Sequence, residues 1–99
     1  MAKKLNIAIV GVTGAVGEAL LTILEERKFP IDTLYPLASS RSVGQTVRFK
    51  NKEIAVEDVA TFDFTKAKIG LFSAGSAVSK EYAPKAAAAG CVVVDHSTP

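Results

Sequence analysis

Three evenly spaced glycines mark the part of this sequence whose residue types best support a chemical role. The run Gly11-Val12-Thr13-Gly14-Ala15-Val16-Gly17 follows an apolar segment, residues 5–10, and precedes a stretch with apolar residues at helical spacing. A strand, a glycine turn and a helix N-terminus in succession bring free backbone N–H groups and the positive end of the helix dipole together. The run therefore predicts a binding site for a pyrophosphate group.

Each glycine has its own expected part in such a turn. Gly11 would permit the tight turn, Gly14 would let the backbone approach the phosphate, and Gly17 would let the helix pack closely on the strand. The spacing G-x-x-G-x-x-G differs from the commoner G-x-G-x-x-G, so the pattern alone is only moderately specific. A tight strand-to-helix turn that binds no ligand is the alternative interpretation.

A second polar segment, Ser39-Ser40-Arg41-Ser42, follows the second predicted strand. In dinucleotide-binding folds an acidic side chain at this place accepts a hydrogen bond from the 2′-hydroxyl of NAD, whereas a nearby arginine suits the 2′-phosphate of NADP. Here the acidic residue is missing, and three hydroxyls and a guanidinium stand in its place. The segment predicts NADP as the cofactor, with a solvated polar loop as the alternative.

Small residues, Ser73 to Ser79, follow a third apolar segment. Ligands of open α/β sheets bind outside the carboxyl ends of the strands, where small residues let a cofactor approach. An ordinary helix N-cap with a small-residue turn is the alternative interpretation.

The elements that would position these segments alternate along the chain. We predict strands over residues 5–10, 33–38, 69–72 and 91–95, and a hairpin over residues 46–50 and 53–57 with its turn at Asn51-Lys52. The first helix is predicted over residues 16–28, with its apolar residues at Val16, Ala19, Leu20, Ile23 and Leu24. The second helix is predicted to have Ser76 or Ser79 as its N-cap and to run to Ala89, with Gly90 after it. Pro84 would kink this helix or make it start later.

This alternation predicts an α/β fold, a Rossmann-type doubly wound and mostly parallel sheet that is incomplete and carries a short β-hairpin insertion. Pro36 argues against a central position for the second strand, because proline has no N–H for the sheet ladder. Residues 58–68 are predicted to be irregular and anchored by Phe62 and Phe64.

Bulk composition excludes several classes of function. Ninety-nine residues make one domain, and 12 basic against 10 acidic residues give a net charge of +2, too balanced to indicate nucleic acid or an acidic membrane as a partner. The apolar segment of residues 5–10 is too short for a secretory signal or a membrane span. A single cysteine precludes an internal disulfide framework, so a cytoplasmic location is expected.

In their order and spacing, the segments resemble the amino-terminal part of the aspartate-semialdehyde dehydrogenase family. The matching pieces are residues 7–17, 37–44, 72–75, 79–86 and 92–95. The family reduces L-aspartyl 4-phosphate to L-aspartate 4-semialdehyde with NADPH, early in the synthesis of lysine, methionine, threonine and diaminopimelate. The resemblance implies that residues 1–99 form the NADP-binding part, without the catalytic and dimerisation domain, of an enzyme that assembles as a homodimer or homotetramer.

The resemblance also implies where the cofactor binds; no metal site is expected. The expected contacts are Thr13, Gly14, Ala15 and Val16 at the pyrophosphate, Arg41 and Ser42, beside Ser39, at the 2′-phosphate, and Ser73, Ala74 and Gly75 beside the cofactor.

The catalytic residues of the family are not expected in this chain. Its chemistry needs a thiolate that displaces phosphate to form a thioester, which hydride then reduces. Cys91 opens an apolar strand and is expected to be a small buried residue rather than that nucleophile. His96 stands where the family has asparagine, and is either a loop residue or a functional one near the nicotinamide. Lys80, Glu81 and Lys85 are expected to form a solvated helix face.

Two other functions remain open from the sequence. One is a related reductase of N-acetyl-γ-glutamyl phosphate, which also passes through a thioester, although residues 39–41 and 79–86 favour the aspartate enzyme. The other is a non-catalytic nucleotide-binding or regulatory module. A cysteine encoded beyond Pro99 would favour an enzyme, and a stop codon there would favour the module.

Overall fold

Five parallel strands form the central sheet of the computed structural model, which describes residues 4–12, 15–73 and 76–95. The strands are β1 Leu5–Val10, β2 Ile31–Ala38, β3 Thr46–Phe49, β4 Lys52–Ala55, β5 Glu57–Asp58, β6 Ile69–Phe72 and β7 Val92–Asp95, and the helices are α1 Ala15–Glu26 and α2 Ser76–Ala88. The sheet order is β5-β2-β1-β6-β7, and β3 and β4 form a separate antiparallel pair. The predicted Rossmann-type sheet with a hairpin insertion is confirmed.

Strand β1 is buried on both faces, as expected for the centre of a parallel sheet. Ile7 and Ile9 pack in one core with Leu21 and Leu24 of α1, whereas Ala8 and Val10 pack in the second core with residues that include Ala86 of α2. The two helices therefore cover opposite faces of the sheet. Neither helix in the described part of the chain is long and apolar enough to cross a membrane.

The buried stripe of α1 differs from the predicted one. Gly17, Leu21 and Leu24 are buried, whereas the predicted core residue Ile23 is 46% exposed. The close contact of Gly17 with the preceding turn rotates the helix so that residues spaced three or four from Gly17 face the core. The amphipathic pattern predicted the helix correctly but not which of its faces packs against the core.

Both helices end in a Schellman motif. After α2, the Cys91 N–H donates to the Ala86 carbonyl at 3.0 Å, and Gly90 has the predicted positive φ of 93°. After α1, the Phe29 N–H donates to the Leu24 carbonyl at 3.1 Å, and Lys28 occupies the left-handed position with φ 50°. The second motif uses a lysine where glycine is the usual residue.

Strand β2 is an interior strand, so the expectation drawn from Pro36 was wrong. The Leu37 carbonyl accepts from the Gly11 N–H beyond β1, whereas the Ala38 carbonyl accepts from Val59 on the other side. Because successive residues of a strand point their backbone polar groups to opposite sides, the Pro36 nitrogen faces β5. Pairing with β5 covers only Leu37 and Ala38. Pro36 is tolerated in β2 because the short strand β5 does not reach it and therefore needs no N–H group from it.

The hairpin turn lies one residue earlier than predicted. Lys50 and Asn51 both have positive φ, 51° and 64°, as a two-residue type I′ turn requires. Glu57 and Asp58, predicted to end the hairpin or to be irregular, instead join the main sheet as β5. Phe64 is buried and Phe62 packs on it with ring centroids 5.1 Å apart, which confirms them as anchors of the following segment.

Helix α2 begins at Ser76, so this predicted N-cap is instead the first helical residue, and the helix ends one residue before the predicted Ala89. Pro84 lies inside it on the exposed side, so it does not delay the start of the helix. Proline removes the N–H that would bond the Lys80 carbonyl, and an exposed carbonyl can bind water instead.

Candidate functional site at the carboxyl edge of the sheet

The three segments predicted to bind a cofactor follow the carboxyl ends of three adjacent strands. Gly11 follows β1, Ser39 follows β2 and Ser73 follows β6. Since β1 lies between β2 and β6, the chain connections leave this edge on opposite sides of β1. Such a switch point is where open α/β sheets bind their ligands.

The start of the glycine turn is held by β2. The N–H groups of Gly11 and Val12 both donate to the Leu37 carbonyl, at 2.8 and 3.2 Å. Gly11 has φ 87°, a conformation that favours glycine, so its predicted part in the tight turn agrees with the geometry. Because both N–H groups are already bonded within the protein, donors to a phosphate must come from residues after Val12.

Gly17 lies against the same turn from the helix side. A Cβ atom at Gly17 would stand 2.5 Å from the Gly11 carbonyl oxygen and 2.7 Å from the Val12 Cα atom. These contacts are too short for any side chain. The helix therefore approaches the turn this closely only because residue 17 is glycine.

Several predicted site residues lie outside the described residues. These are Thr13, Gly14, Ala74 and Gly75, together with His96. Ala15 and Val16 are described through their backbone alone, as the first two residues of α1. Their contacts with a cofactor remain predictions.

Ser73 connects the end of β6 to the glycine turn. Its N–H donates to the Val10 carbonyl at 2.8 Å, and its Oγ hydroxyl lies 3.0 Å from the same carbonyl oxygen and 3.3 Å from that of Gly11. The sequence suggested a place beside the cofactor for Ser73, but it gave no indication of this connection. Knowing that β6 pairs beside β1 would have revealed it.

The predicted 2′-phosphate segment forms a short 3-10 turn over Ser40–Ser42. The Ser42 N–H donates to the Ser39 carbonyl at 2.9 Å, which closes the turn. Arg41 is exposed, and within the described ranges its guanidinium forms no ion pair. The turn therefore presents a cation to solvent at the carboxyl end of β2.

An acidic residue does lie beside this turn in the sheet, but it has a structural role. Asp58 of β5 pairs with Ala38 of β2. Its Oδ1 atom accepts the Ala60 N–H at 2.9 Å, which stabilises the turn after β5. The carboxylate is thus used in a local turn.

Cys91 has the environment of a structural cysteine. It is 6% exposed, and a Cβ atom added at Gly70 would lie 3.2 Å from its sulfur. Burial raises the pKa of the Cys91 thiol, and the charge of Lys68 opposes this rise. The prediction of a small buried residue is confirmed, and a high thiol pKa disfavours the thiolate that a nucleophile needs.

The predicted solvated face of α2 is also confirmed. Lys80, Glu81 and Lys85 are exposed, and Lys85 Nζ lies 3.9 Å from Glu81 Oε2. An exposed pair of this kind contributes little to stability. Among residues that the structure describes, no group of three potential ligands is placed to bind a metal ion.

The family described as "Semialdehyde dehydrogenase, NAD binding domain" matches residues 6–99. The aspartate-semialdehyde dehydrogenase of Legionella pneumophila is 68% identical over 98 residues, which are 99% of this chain and 28% of that protein. A second relative, aspartate-semialdehyde dehydrogenase 2 of Vibrio cholerae, is 50% identical over 98 residues, or 99% of this chain and 29% of the relative.

Solved structures agree with these relatives. The crystal structure of aspartate semialdehyde dehydrogenase II from Vibrio cholerae complexed with ASA has a TM-score of 0.94 and 50% identity, and the match covers 97% of this chain and 31% of that one. The chain therefore spans less than a third of the length of the proteins it matches.

Proposed function

The chain belongs to the NAD-binding domain family of the semialdehyde dehydrogenases, and from this premise we propose that it is the NADP-binding part of an aspartate-semialdehyde dehydrogenase. Such an enzyme reduces L-aspartyl 4-phosphate to the semialdehyde with NADPH. The relatives that carry this name favour it over the glutamyl-phosphate reductase and over a non-catalytic module. A cytoplasmic enzyme of two or four subunits belongs to the same proposal.

The observation that carries the choice of NADP is the exposed turn after β2. An arginine flanked by serine hydroxyls occupies the place where NAD-specific folds have a carboxylate. The carboxylate of Asp58 beside it is already bonded to the Ala60 N–H. A 2′-phosphate would gain charge-assisted hydrogen bonds from Arg41, whereas the 2′-hydroxyl of NAD would gain much less.

The other proposed contacts are those that the sequence indicates at this edge of the sheet. In this proposal the pyrophosphate lies at the N-terminus of α1, bound by Thr13, Gly14, Ala15 and Val16, while Gly11 and Gly17 shape the turn. Ser39 and Ser42 stand beside Arg41 at the 2′-phosphate. Ala74 and Gly75, which follow Ser73 after the end of β6, border the cofactor. When bound, the cofactor supplies or accepts the hydride.

Titration calorimetry of this chain with NADP and with NAD tests the choice of cofactor. We expect saturable binding of NADP at one site per chain and weaker binding of NAD. Equal affinities, or tighter binding of NAD, would contradict the assignment of NADP. Adenosine 2′-phosphate serves as the control ligand, because it carries the distinguishing phosphate without the pyrophosphate.

We further propose that this chain alone does not catalyse the reaction. Its one cysteine is buried and its thiol pKa is raised, so no residue here supplies the thiolate. Loss of a nucleophile costs several orders of magnitude in rate. The purified chain, given NADP, semialdehyde and phosphate, is expected to form no NADPH. Turnover that disappears in Cys91→Ser would overturn the structural assignment of Cys91.

A further inference from the structure

The hydroxyl of Ser73 faces the protein rather than the space outside the sheet. We propose that Ser73 is a positioning residue that fixes the glycine turn for the cofactor's pyrophosphate, and that it does not itself bind the cofactor. This inference rests on the proposed function, since it deepens the role of the same edge. It changes the expectation, drawn from the sequence, that Ser73 is a cofactor contact.

The position of the Ser73 hydroxyl requires its one proton to be donated to a backbone carbonyl at the start of the turn. Ser73 Oγ lies 3.0 Å from the Val10 carbonyl oxygen and 3.3 Å from the Gly11 carbonyl oxygen. Both partners accept only, so the hydroxyl must donate to one of them or be shared between them. Since Ser73 is half-buried, a donor turned away from these carbonyls would leave a hydrogen bond unmade.

The turn is held from two sides. On the β2 side, the Gly11 and Val12 N–H groups donate to the Leu37 carbonyl, a contact made by backbone atoms alone. On the β6 side, the Ser73 N–H continues the ladder to Val10, and its hydroxyl adds a contact that reaches Gly11. Among these contacts, the hydroxyl is the one that depends on side-chain identity.

The contact matters for binding because the turn directs the residues that follow it. Val12 is fully buried, and Gly17 packs on the backbone of Gly11 and Val12 with no room for a Cβ atom. A change in the orientation of the Gly11 peptide is therefore passed to the start of α1, where the pyrophosphate would bind. Preorganisation of this turn lowers the cost of binding.

The test compares Ser73→Ala with the parent chain, free and bound. Because one neutral hydrogen bond is lost, we expect the affinities for NADP and for NAD to fall by the same factor, about two- to twelvefold. The affinity for adenosine 2′-phosphate should not change, because that ligand lacks the pyrophosphate. In the unliganded chain, the amide NMR signals of Gly11 and Val12 should shift and their hydrogen exchange should accelerate.

Three variants complete the design. Ser73→Thr keeps the hydroxyl and should restore both the amide signals and the affinity. Ser73→Cys leaves no cavity, since its side chain is slightly larger than serine, but its thiol is only a weak donor, so its affinities should fall as those of Ser73→Ala do even if the alanine variant folds poorly. Thr22→Val is the matched control, because Thr22 Oγ1 also donates to a backbone carbonyl, that of Glu18 at 3.2 Å, on an exposed part of α1.

The outcomes separate this inference from the proposed function. Weaker binding with unchanged amide signals in the free Ser73→Ala chain would show a direct cofactor contact and overturn the positioning role. Unchanged binding with shifted amide signals would overturn it as well. If the parent binds neither dinucleotide, the proposed function itself fails, and the positioning role fails with it.

Discussion

At Gly17, one added carbon would collide with the backbone of the glycine turn. The nearest atom, the Gly11 carbonyl oxygen, would lie 2.5 Å from it, and backbone atoms cannot move aside as the end of a flexible side chain can. Gly14 has a different expected role, since its missing side chain leaves room for the ligand rather than for the protein. The two glycines should therefore respond differently to substitution.

Gly17→Ala should lower the free energy of unfolding by about 1–3 kcal/mol, the usual cost of overpacking. Gly14→Val should abolish NADP binding while leaving the unliganded fold largely intact. Thermal melts of both variants with and without NADP measure the two effects together. If Gly14→Val lowers the melting temperature of the free chain as much as Gly17→Ala does, Gly14 serves the backbone conformation, and the phosphate role assigned to it is wrong.

Cys91 makes stability depend on pH in the alkaline range. Because burial raises the thiol pKa in the folded state, the unfolded chain releases this proton at a lower pH than the folded chain does. The contribution of the Cys91 thiol to the free energy of unfolding is therefore complete below the pKa of the unfolded chain, about 8.5, and is lost as the pH rises through the pKa of the folded chain. Denaturant melts from pH 7 to 10 should show parent stability falling relative to Cys91→Ala, and a constant difference would contradict the raised pKa.

At the scale of elements, the end of α1 carries a conformation that its sequence does not favour. Lys28 has φ 50° in the Schellman motif that closes the helix. The left-handed conformation costs an L-residue with a side chain about 1–2 kcal/mol relative to the right-handed one. The hydrogen bonds of Lys28 and Phe29 to the Glu25 and Leu24 carbonyls hold it in place.

Lys28→Gly should therefore stabilise the chain by ~1 kcal/mol, less the added entropy of glycine in the unfolded state. Arg27→Gly is the matched control, because Arg27 is also exposed and its φ is not positive. That neighbouring change should destabilise the chain by about 0.5–1 kcal/mol. Urea melts measure both, and a destabilised Lys28→Gly chain would show that the Lys28 side chain makes contacts worth more than the strain.

The elements show where sequence patterns sufficed. Apolar runs and glycines located all the parallel strands except β5, because a buried strand and a helix cap each have a local signature. The predictions were wrong where the structure of a residue depends on the neighbouring strand. Pro36 is tolerated in β2 because β5 is short, and residues 57–58 pair with β2 although they continue the alternation of the hairpin. Neither fact is contained in the local sequence.

In the candidate site, too, the sequence predicted the positions of the residues but not the contacts between neighbouring strands. The order of strands and helices was enough to bring Gly11, Arg41 and Ser73 to one edge, because parallel strands share their carboxyl ends. The Leu37 carbonyl and the Ser73 hydroxyl could not be foreseen as the groups that hold the turn. Both contacts depend on which strands are neighbours and on their register.

At the level of the whole molecule, we propose that the carboxyl edge of the sheet distinguishes NADP from NAD. Helices α1 and α2 cover opposite faces of the sheet and leave this edge to the three loops. The chain is nearly neutral, with a net charge of +2, so general attraction for anions cannot supply the distinction. We therefore expect the distinction to come from local contacts, for which Arg41 is exposed at the carboxyl end of β2.

The direct measurement is titration calorimetry of NADP and NAD with the parent, Arg41→Ala and Arg48→Ala. Arg48 is the matched control, since it is likewise exposed but lies on the β3–β4 hairpin. In Arg41→Ala, loss of the charge-assisted hydrogen bonds should weaken the binding of NADP by roughly 1.5–3 kcal/mol and leave the binding of NAD unchanged. Arg48→Ala should bind both cofactors as the parent does. Equal losses of affinity for NADP and NAD in Arg41→Ala would show that Arg41 supports the fold or the pyrophosphate rather than the 2′-phosphate, and the proposed role of Arg41 would be wrong.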